Sequence, residues 1–416
     1  MWQKTKNQYH LGQAILANII YMFPARKLKI IGVTGTDGKT TTASLIYHVL
    51  ISAGFKASLI TTVGAVINEK FSDIGLHVTT PGRFALQSYL KKSKKAGVEY
   101  VILELTSHAL DQYRAFGIPI DVGVLTNVSN EHLDYHKTYE KYVDAKLKLL
   151  KKAKIAVVNK DDKSYSNIKD QRSKIKSVKI VTFGLRKDSD INPHNFPFKT
   201  DLVGKFNIYN SLAAISALQQ LHLSDVDIRK GIASFHAPQG RQEVVYNKDF
   251  MVINDFAHTP NSFAAILPEM KKLAKNKLIH VFGAAGQRDR YKRPEMGKIS
   301  AMHSDIIVLT GEDPRNENIA DINDQIISGI KDPGFGVVNY EAIKNGEVNL
   351  DDKSKYILLI PDRRDAINFA ISIAKKRDIV LLTGKGHEKS INYGKGEESW
   401  DEKEVALKAI ELRSKN

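Results

Sequence analysis

Cysteine is absent from the 416 residues, so disulfides and thiolate metal sites are excluded, and the composition suits a reducing compartment such as the cytoplasm. No apolar run reaches the roughly 18–20 residues of a membrane span. The strongest candidate, 11–23 (LGQAILANIIYMF), is too short and has no cleavage-type tail. It is expected to be a helix that packs on the body, with no stable membrane insertion. Internal repeats and low-complexity tracts are also missing. Acidic residues are in deficit: 62 Lys and Arg against 46 Asp and Glu leave a net charge of +16. Nucleic-acid binding does not follow from that charge, because no such motif is present and the aromatics are not interleaved with the basic runs. Two readings stay open. Stretches such as 91–95 (KKSKK) and 148–154 (KLLKKAK) are solvated helix faces and turns, or the ligands are small polyanions.

What is present is the balance of a folded globular chain: 42% hydrophobic and 26% charged residues. The length allows two or three domains. Buried-strand candidates fall at 28–34 (LKIIGVT), 58–63, 99–105 (EYVILEL), 121–126, 154–159 and 179–183. Helical patterns separate several of them, which predicts βαβ units and a mainly parallel sheet. Residues 161–200 are polar, contain Pro193 and Pro197, and read as a loop-rich insertion; a helix is expected from about Asn207 to His222. The alternation resumes at 250–255, 277–282, 305–310, 356–360 and 378–383. The fold class is therefore α/β. Two α/β domains are expected, a central one over 28–238, which the glycine loop described next would make a P-loop-type ATPase domain, and a C-terminal Rossmann-like one over 239–416, with an N-terminal helical segment at 1–27.

The strongest local chemistry lies between the first strand and a helix predicted over Thr40–Ala53. In Gly32-Val-Thr-Gly35-Thr36-Asp37-Gly38-Lys39-Thr40-Thr41-Thr42, glycines let the backbone turn tightly and aim N–H groups at phosphate oxygens, ahead of a positive helix N-terminus. Lys39 would bridge the β- and γ-phosphates of ATP and the Thr40 hydroxyl would ligate Mg²⁺. Strict P-loop spacing puts glycine where Val33 stands, so the loop is a variant. Glu104 closes a buried strand, at the sheet edge where parallel sheets bind ligands. Further motifs are Thr79-Thr80-Pro81, Leu-Thr-Ser107-His-Ala-Leu-Asp-Gln112-Tyr-Arg114 and Thr-Asn127-Val-Ser-Asn-Glu131-His132-Leu-Asp-Tyr-His136. Two imidazoles in five residues suggest zinc, but the preceding Ser-Asn reads as a loop and does not put both on one helix face.

Taken together these segments resemble the Mur ligase family. The resemblance runs from residue 28 to 388, and its Ser-His-Ala-Leu and His-Leu-Asp-Tyr-His segments favour the muropeptide branch. The family usually has Asn at the position of Asp37 and Asp at that of Glu131. It implies nucleotide contacts from Gly35, Thr36, Asp37, Gly38, Lys39, Thr40, Thr41 and Asn127, and Mg²⁺ contacts from Thr40, Glu104 and His132. It implies muramoyl-peptide contacts from Thr79, Thr80, Ser107, Gln112 and Arg114. Lys146, identified only by its spacing from His136, would carry a CO₂-derived carbamate that turns a cation into a metal-binding carboxylate analogue. Asn207 and Asn210 in Phe-Asn-Ile-Tyr-Asn would lie against the adenine, and Asn207 is also expected to cap the helix that begins there. Arg241 in Gly-Arg-Gln-Glu would reach ATP phosphates. In Asp255-Phe-Ala-His258-Thr-Pro, Asp255 would hold the ribose and His258 would face the reaction centre.

Three C-terminal loops carry Arg288, Asp313 with Arg315, and Gly384 with Glu388. Arginine forks a carboxylate and glutamate accepts an ammonium, the pairing an amino acid requires. The resemblance places these residues on the incoming amino acid. Members using meso-diaminopimelate carry Asp-Asn-Pro-Arg at the second loop; here Asp313 replaces the Asn, which leaves L-lysine as the competitor. The reaction implied is ATP-dependent addition of the amino acid to UDP-MurNAc-L-Ala-D-Glu through an acyl phosphate, by a monomer acting on small molecules. Lys39, Lys146, His132 and His258 would be its catalytic residues. Relatives also carry a uridine-binding N-terminal domain of about a hundred residues, whereas the first strand here starts near residue 28. A non-uridine or lipid-linked muropeptide is therefore a second expectation, and a non-catalytic ATP-binding regulator a third.

Overall fold

The computed structural model describes residues 2–75, 79–129, 131, 133–170, 178–345, 347, 350–351 and 354–415. The chain divides into two compact units, Met1–His236 and Ala237–Asn416. Unit 1 is built on eight strands: β1 (Lys29–Thr34), β2 (Ala57–Thr61), β3 (Gly64–Ile67), β4 (Lys70–Ser72), β5 (Tyr100–Glu104), β6 (Ile120–Leu125), β7 (Ala153–Asn159) and β8 (Lys179–Phe183). Their order is β4-β3-β2-β5-β1-β6-β7-β8. From β2 to β8 every neighbouring pair is parallel. The parallel strands read as unbroken apolar runs because helices cover both faces. Helices Lys39–Ser52 and Lys205–Gln220 lie on one face, burying Leu45, Ile46, Val49, Leu212, Ile215 and Leu218 with Ile31 and Val33. Both are apolar on most sides, as interior helices are.

The N-terminal helix runs from Trp2 to Ile20, beginning earlier than its apolar run. It packs on the helix Arg83–Lys95 through Ala14 and Ala17, and Asn18 donates to the Phe116 carbonyl at 2.9 Å. Among the described residues no helix is long and apolar enough to cross a membrane.

Two expectations are corrected here. Within 161–200 the loop-rich reading misses the helix Ser164–Asp170, whereas the strand expected at 179–183 is the edge strand β8 and 184–204 is irregular apart from one isolated bridge at Ile191. An edge strand is bonded on one side only and tolerates polar flanks, and Asp190 covers this edge by accepting from Thr182 N (2.8 Å) and Oγ1 (2.7 Å). The helix expected at Asn207 begins at Lys205, and its N-cap is Gly204. Asn207 is the third residue inside, and its side chain donates back to the Val203 carbonyl at 2.7 Å.

Unit 2 is a second twisted sheet of β9 (Glu243–Asn247), β10 (Met251–Asp255), β11 (Leu278–Phe282), β12 (Ile306–Leu309), β13 (Phe335–Asn339), β14 (Lys355–Leu359) and β15 (Ile379–Thr383). The order is β13-β14-β12-β11-β15-β10-β9, with only β9 antiparallel. Its fully buried arginines are paired. Arg363 and Glu402 are both 0% exposed, joined at 2.5 Å, and the Trp400 indole donates to Glu402 at 2.7 Å. Arg293, also 0% exposed, is forked on Glu317 at 2.7 and 3.0 Å.

Candidate active site

In unit 1, β1, β5 and β6 are neighbours at the centre of the sheet, so the segments leaving their C-terminal ends meet. The glycine loop leaves β1. Gly38 caps the following helix at φ 77°, and a Cβ there would lie 2.0 Å from Asn210 Oδ1. At Gly35 a Cβ would lie 1.8 Å from Thr126 Oγ1. These are cradles that side chains would fill. Asn127, after β6, clasps Asp37 in both directions, accepting from its N–H at 2.9 Å and donating to its carbonyl at 3.1 Å. Thr126 Oγ1 donates to the same carbonyl at 2.7 Å. Lys39 Nζ folds back onto the Thr36 carbonyl at 2.7 Å. Thr36 Oγ1 meets Tyr142 Oη at 3.2 Å, and Thr41 is buried in the first helical turn.

Glu104, 2% exposed, ends β5 beside this loop. Its carboxylate accepts from Thr40 Oγ1 at 2.9 Å and from Thr62 N and Oγ1, each at 3.1 Å. Thr62 was not signalled by any sequence pattern. A hydroxyl and a carboxylate within hydrogen-bond distance are hard oxygen donors, which suits Mg²⁺. Among the described residues no cluster of three or more His, Asp or Glu could hold a metal by itself.

Lys146 stands on the helix Tyr139–Lys152 at 1% exposure, with Nζ donating to the Gly35 carbonyl at 2.6 Å and lying 4.3 Å from the Tyr142 ring centroid. Burial, and then the neighbouring Lys39 charge, hold its ammonium well below the ordinary lysine pKa. The structure thus brings Lys39, Thr40, Glu104, Asn127 and Lys146 to one loop. His132 lies outside the described residues. Its motif partner His136 is buried and within 3.0 Å of Ser107 Oγ.

Thr79 and Thr80 precede the helix Arg83–Lys95. Thr80 Oγ1 donates to the Glu104 carbonyl at 2.9 Å, and its own carbonyl accepts from Arg114 at 2.5 Å. Arg114 also donates to Gln112 Oε1 at 3.1 Å. Asn207 and Asn210 are bonded to each other at 3.0 Å and buried beneath Gly38.

In unit 2, Gln242 N and Ala257 N donate to Asp255 at 2.8 and 2.7 Å. Burial pushes the Asp255 carboxyl up, with Arg241 pulling the other way. Arg241 stacks 4.4 Å over the Phe256 ring. His258 donates through Nδ1 to the Phe256 carbonyl at 2.8 Å, and Lys292 Nζ donates to the His258 carbonyl at 2.7 Å. Thr259 caps the next helix with a capping box.

The loops after β11, β12 and β15 also converge. Arg315, at φ 52°, donates to the Gly286 carbonyl at 2.6 Å. Asp313 accepts from Lys385 Nζ and Asn392 N, both at 3.0 Å, and Lys385 also meets Glu388 at 2.7 Å. Arg288 is exposed on its loop, without a hydrogen bond among the described residues. Gly384 presses on Glu312, where a Cβ would lie 3.0 Å from Cδ. Glu312 is buried, its Oε2 has no hydrogen-bond partner, and burial pushes its carboxyl up to about 7. The sequence marks Glu312 only as a loop residue.

Comparison with known proteins bears on both units. Residues 33–218 match the Mur ligase middle domain and residues 240–386 the Mur ligase glutamate ligase domain. A UDP-N-acetylmuramoyl-L-alanyl-D-glutamate–2,6-diaminopimelate ligase of Clostridium perfringens is 35% identical over 96% of this chain and 81% of its own length. A UDP-N-acetylmuramyl-tripeptide synthetase of Borreliella afzelii is 37% identical over 95% of this chain and 79% of its own. Among solved structures, a diaminopimelate ligase of the same description superposes with a TM-score of 0.63 at 29% identity, over 93% of this chain and 79% of that one. A folylpolyglutamate synthase/dihydrofolate synthase of Yersinia pestis, complexed with AMPPNP and Mn ion, shares the fold alone, with a TM-score of 0.69 at 17% identity over 97% and 93%.

Proposed function

Because this chain belongs to the Mur ligase family, whose members are ATP-dependent ligases, we propose that it joins an amino acid to UDP-MurNAc-L-Ala-D-Glu in peptidoglycan biosynthesis. The observation that carries this reading is the meeting of Lys39, Thr40 and Glu104 at one glycine loop. The acceptor's γ-carboxylate attacks the γ-phosphorus of ATP and ADP leaves; the neutral incoming amine then attacks the acyl carbon of the acyl phosphate, and the tetrahedral intermediate expels phosphate as the nitrogen loses a proton. Carboxylate and triphosphate repel each other, so the main task is to offset negative charge as it gathers. Lys39 would do this by leaving the Thr36 carbonyl for the phosphates. Gly35 and Gly38 let backbone N–H groups approach them, and Asn207 and Asn210 would flank the base. Thr40 and Glu104 would hold Mg²⁺, which when bound supplies Lewis-acid neutralisation of the phosphate oxygens.

Lys146 would act as a carbamate: burial, and then Lys39, favour its neutral amine, the form that adds to CO₂ with loss of a proton. His132, Arg241, Asp255 and His258 keep the roles that the family resemblance gives them. Thr79, Thr80, Ser107, Gln112 and Arg114 would hold the muropeptide. Arg288, Asp313, Arg315, Gly384 and Glu388 would hold the amino acid. Meso-diaminopimelate is the amino acid proposed, following the names of the relatives, with a cytoplasmic monomer as the working form.

The test is phosphate release with ATP, Mg²⁺ and UDP-MurNAc-L-Ala-D-Glu, supplying meso-diaminopimelate, L-lysine and L-ornithine separately. Release dependent on diaminopimelate, with a tripeptide product of the correct mass, supports the reading. Release with another amino acid alone overturns the amino-acid assignment, and no release with any overturns the acceptor assignment.

A further inference from the structure

Arg83 and Arg114 stand together in unit 1 with no carboxylate between them among the described residues. Arg83 donates to Gln13 Oε1 at 3.3 Å and to the Gln112 carbonyl at 2.5 Å. Arg114 donates to the Thr80 carbonyl at 2.5 Å and to Gln112 Oε1 at 3.1 Å. Every one of these acceptors is neutral, and the Nε atom of each arginine is buried without a hydrogen-bond partner. Burial first, and then Arg114, pull Arg83 below its ordinary pKa, and burial does the same to Arg114.

The groups facing the pair do not compensate it. His10, on the helix Trp2–Ile20, is held low by burial, Arg83 and Arg114, with Lys6 adding further positive charge, and its Nδ1 is buried without a partner. Tyr9 and Tyr135 present phenols. Asp111, one residue before Gln112, is already engaged by Lys148 at 2.5 Å, Tyr135 at 3.0 Å and Asn7 at 3.3 Å.

Two like charges held half-buried side by side repel each other, and an anion joining them relieves that repulsion. The fully buried arginines of unit 2, Arg293 and Arg363, each have such an anion in Glu317 and Glu402. Position says which anion is missing here. Thr80 accepts from Arg114 through its carbonyl and donates from its hydroxyl to the Glu104 carbonyl at 2.9 Å, so one residue separates the guanidiniums from the Mg²⁺ candidate. The carboxylate that reacts cannot serve as a lasting counterion, because phosphorylation and amide formation consume it.

We infer that Arg83 and Arg114 form a two-guanidinium site for a second, non-reacting carboxylate on the acceptor, and that Arg83 makes the enzyme select diacid over monoacid acceptors. This deepens the ligase reading and rests on it. The sequence reading placed Arg114, but not Arg83, on the substrate. The helix Trp2–Ile20, through Gln13 and His10, would be one wall of the site.

The test compares the acceptor with its α-amide, in which the free glutamyl carboxylate is replaced by carboxamide. The amide should raise KM for the acceptor by about tenfold or more in the wild-type chain, the loss of one charged hydrogen-bonded contact. Arg83→Gln should show a similar rise with the diacid and discriminate poorly between diacid and amide, leaving KM for ATP unchanged, while Arg83→Lys recovers part of the discrimination. If R83Q discriminates as well as wild type, the inference is overturned.

Absence of turnover would overturn the acceptor assignment on kinetic grounds, so binding is read separately. The dipeptide L-Ala-D-Glu is titrated calorimetrically into the full chain with a non-hydrolysable ATP analogue filling the glycine loop. Binding to wild type that Arg83→Gln weakens supports the site. Equal affinities, or inorganic phosphate competing as well as the dipeptide, overturn its assignment to a carboxylate.

Discussion

Buried charge is treated differently in the two units. Unit 2 closes its fully buried cations into pairs: Arg363 with Glu402, Arg293 with Glu317, and Lys385 with both Asp313 and Glu388. In unit 1 the buried Lys146 rests on a backbone carbonyl, the half-buried Arg83 and Arg114 rest on amides and carbonyls, and the buried Glu104 is met by hydroxyls and an N–H. Paired charges are internally satisfied and hold loops and helices in place. Charges satisfied only by neutral groups retain an uncompensated field, which a charged ligand can answer. Two buried carboxylates of unit 2 depart from the pairing: Asp378 is met by the Asn276 amide and two backbone N–H groups, and Glu312, amid the loops after β11, β12 and β15, keeps one oxygen unpartnered. Glu312 marks the place where unit 2 behaves like unit 1.

If pairing in unit 2 is architecture, breaking a pair should act on stability. Glu402→Gln leaves Arg363 buried without its anion and is expected to lower unfolding free energy by about 3–5 kcal/mol in denaturant titration, whereas an apolar Met/Leu replacement of both partners restores much of it. Lys39→Ala tests the opposite expectation for unit 1, with kcat for phosphate release falling by roughly 100- to 1,000-fold at little change in thermal midpoint. Retained turnover would remove the glycine loop from the mechanism.

Glu312→Gln sharpens the second departure. Held up to about 7, the carboxyl keeps its proton in the folded chain from pH 4.5 to 7 while the unfolded chain has released it. The folded state then binds more protons, so stability falls as pH rises through that window. The Gln variant should lose this slope and exceed wild type at pH 8 by up to about 3 kcal/mol. A parallel pH profile for the two proteins would show that the carboxyl is not perturbed. The smallest effect is expected at the exposed ion pair of Lys154 with Asp121, where Lys154→Ala should change stability by less than about 1 kcal/mol.

Much of this architecture is written in local pattern. The apolar runs at 28–34, 99–105 and 378–383 correspond to β1, β5 and β15, because strands buried on both faces have nothing to alternate. Short or exposed strands left no such trace. The β3–β4 hairpin turns through Asn68 and Glu69 at φ 49° and 62°, and β9 and β13 are edge strands with exposed positions. Residue type alone suggests Asn207 as a cap, because Asn suits that position, but Gly204 at φ 96° takes it and Asn207 is turned inward. Around the glycine loop, residue type and order were enough to single out Lys39, Thr40 and Glu104. Thr62, the pairing of Arg83 with Arg114, and the orphaned oxygen of Glu312 arise from tertiary neighbours. No spacing along the chain encodes them.

The central place of β1 also fixes when the nucleotide loop can become a site during synthesis. Its partners lie far downstream: Glu104 is 64 residues beyond Thr40, Asn127 is 90 beyond Asp37, and Lys146 is 111 beyond Gly35. Asn210, which packs beneath Gly38, comes later still. A nascent chain that has exposed only the glycine loop therefore holds the right residues without the walls that shape them. Closing such distant contacts costs chain entropy before any of them is rewarded. Nucleotide binding should thus arrive late and all at once during translation, as a report that the whole first unit has folded.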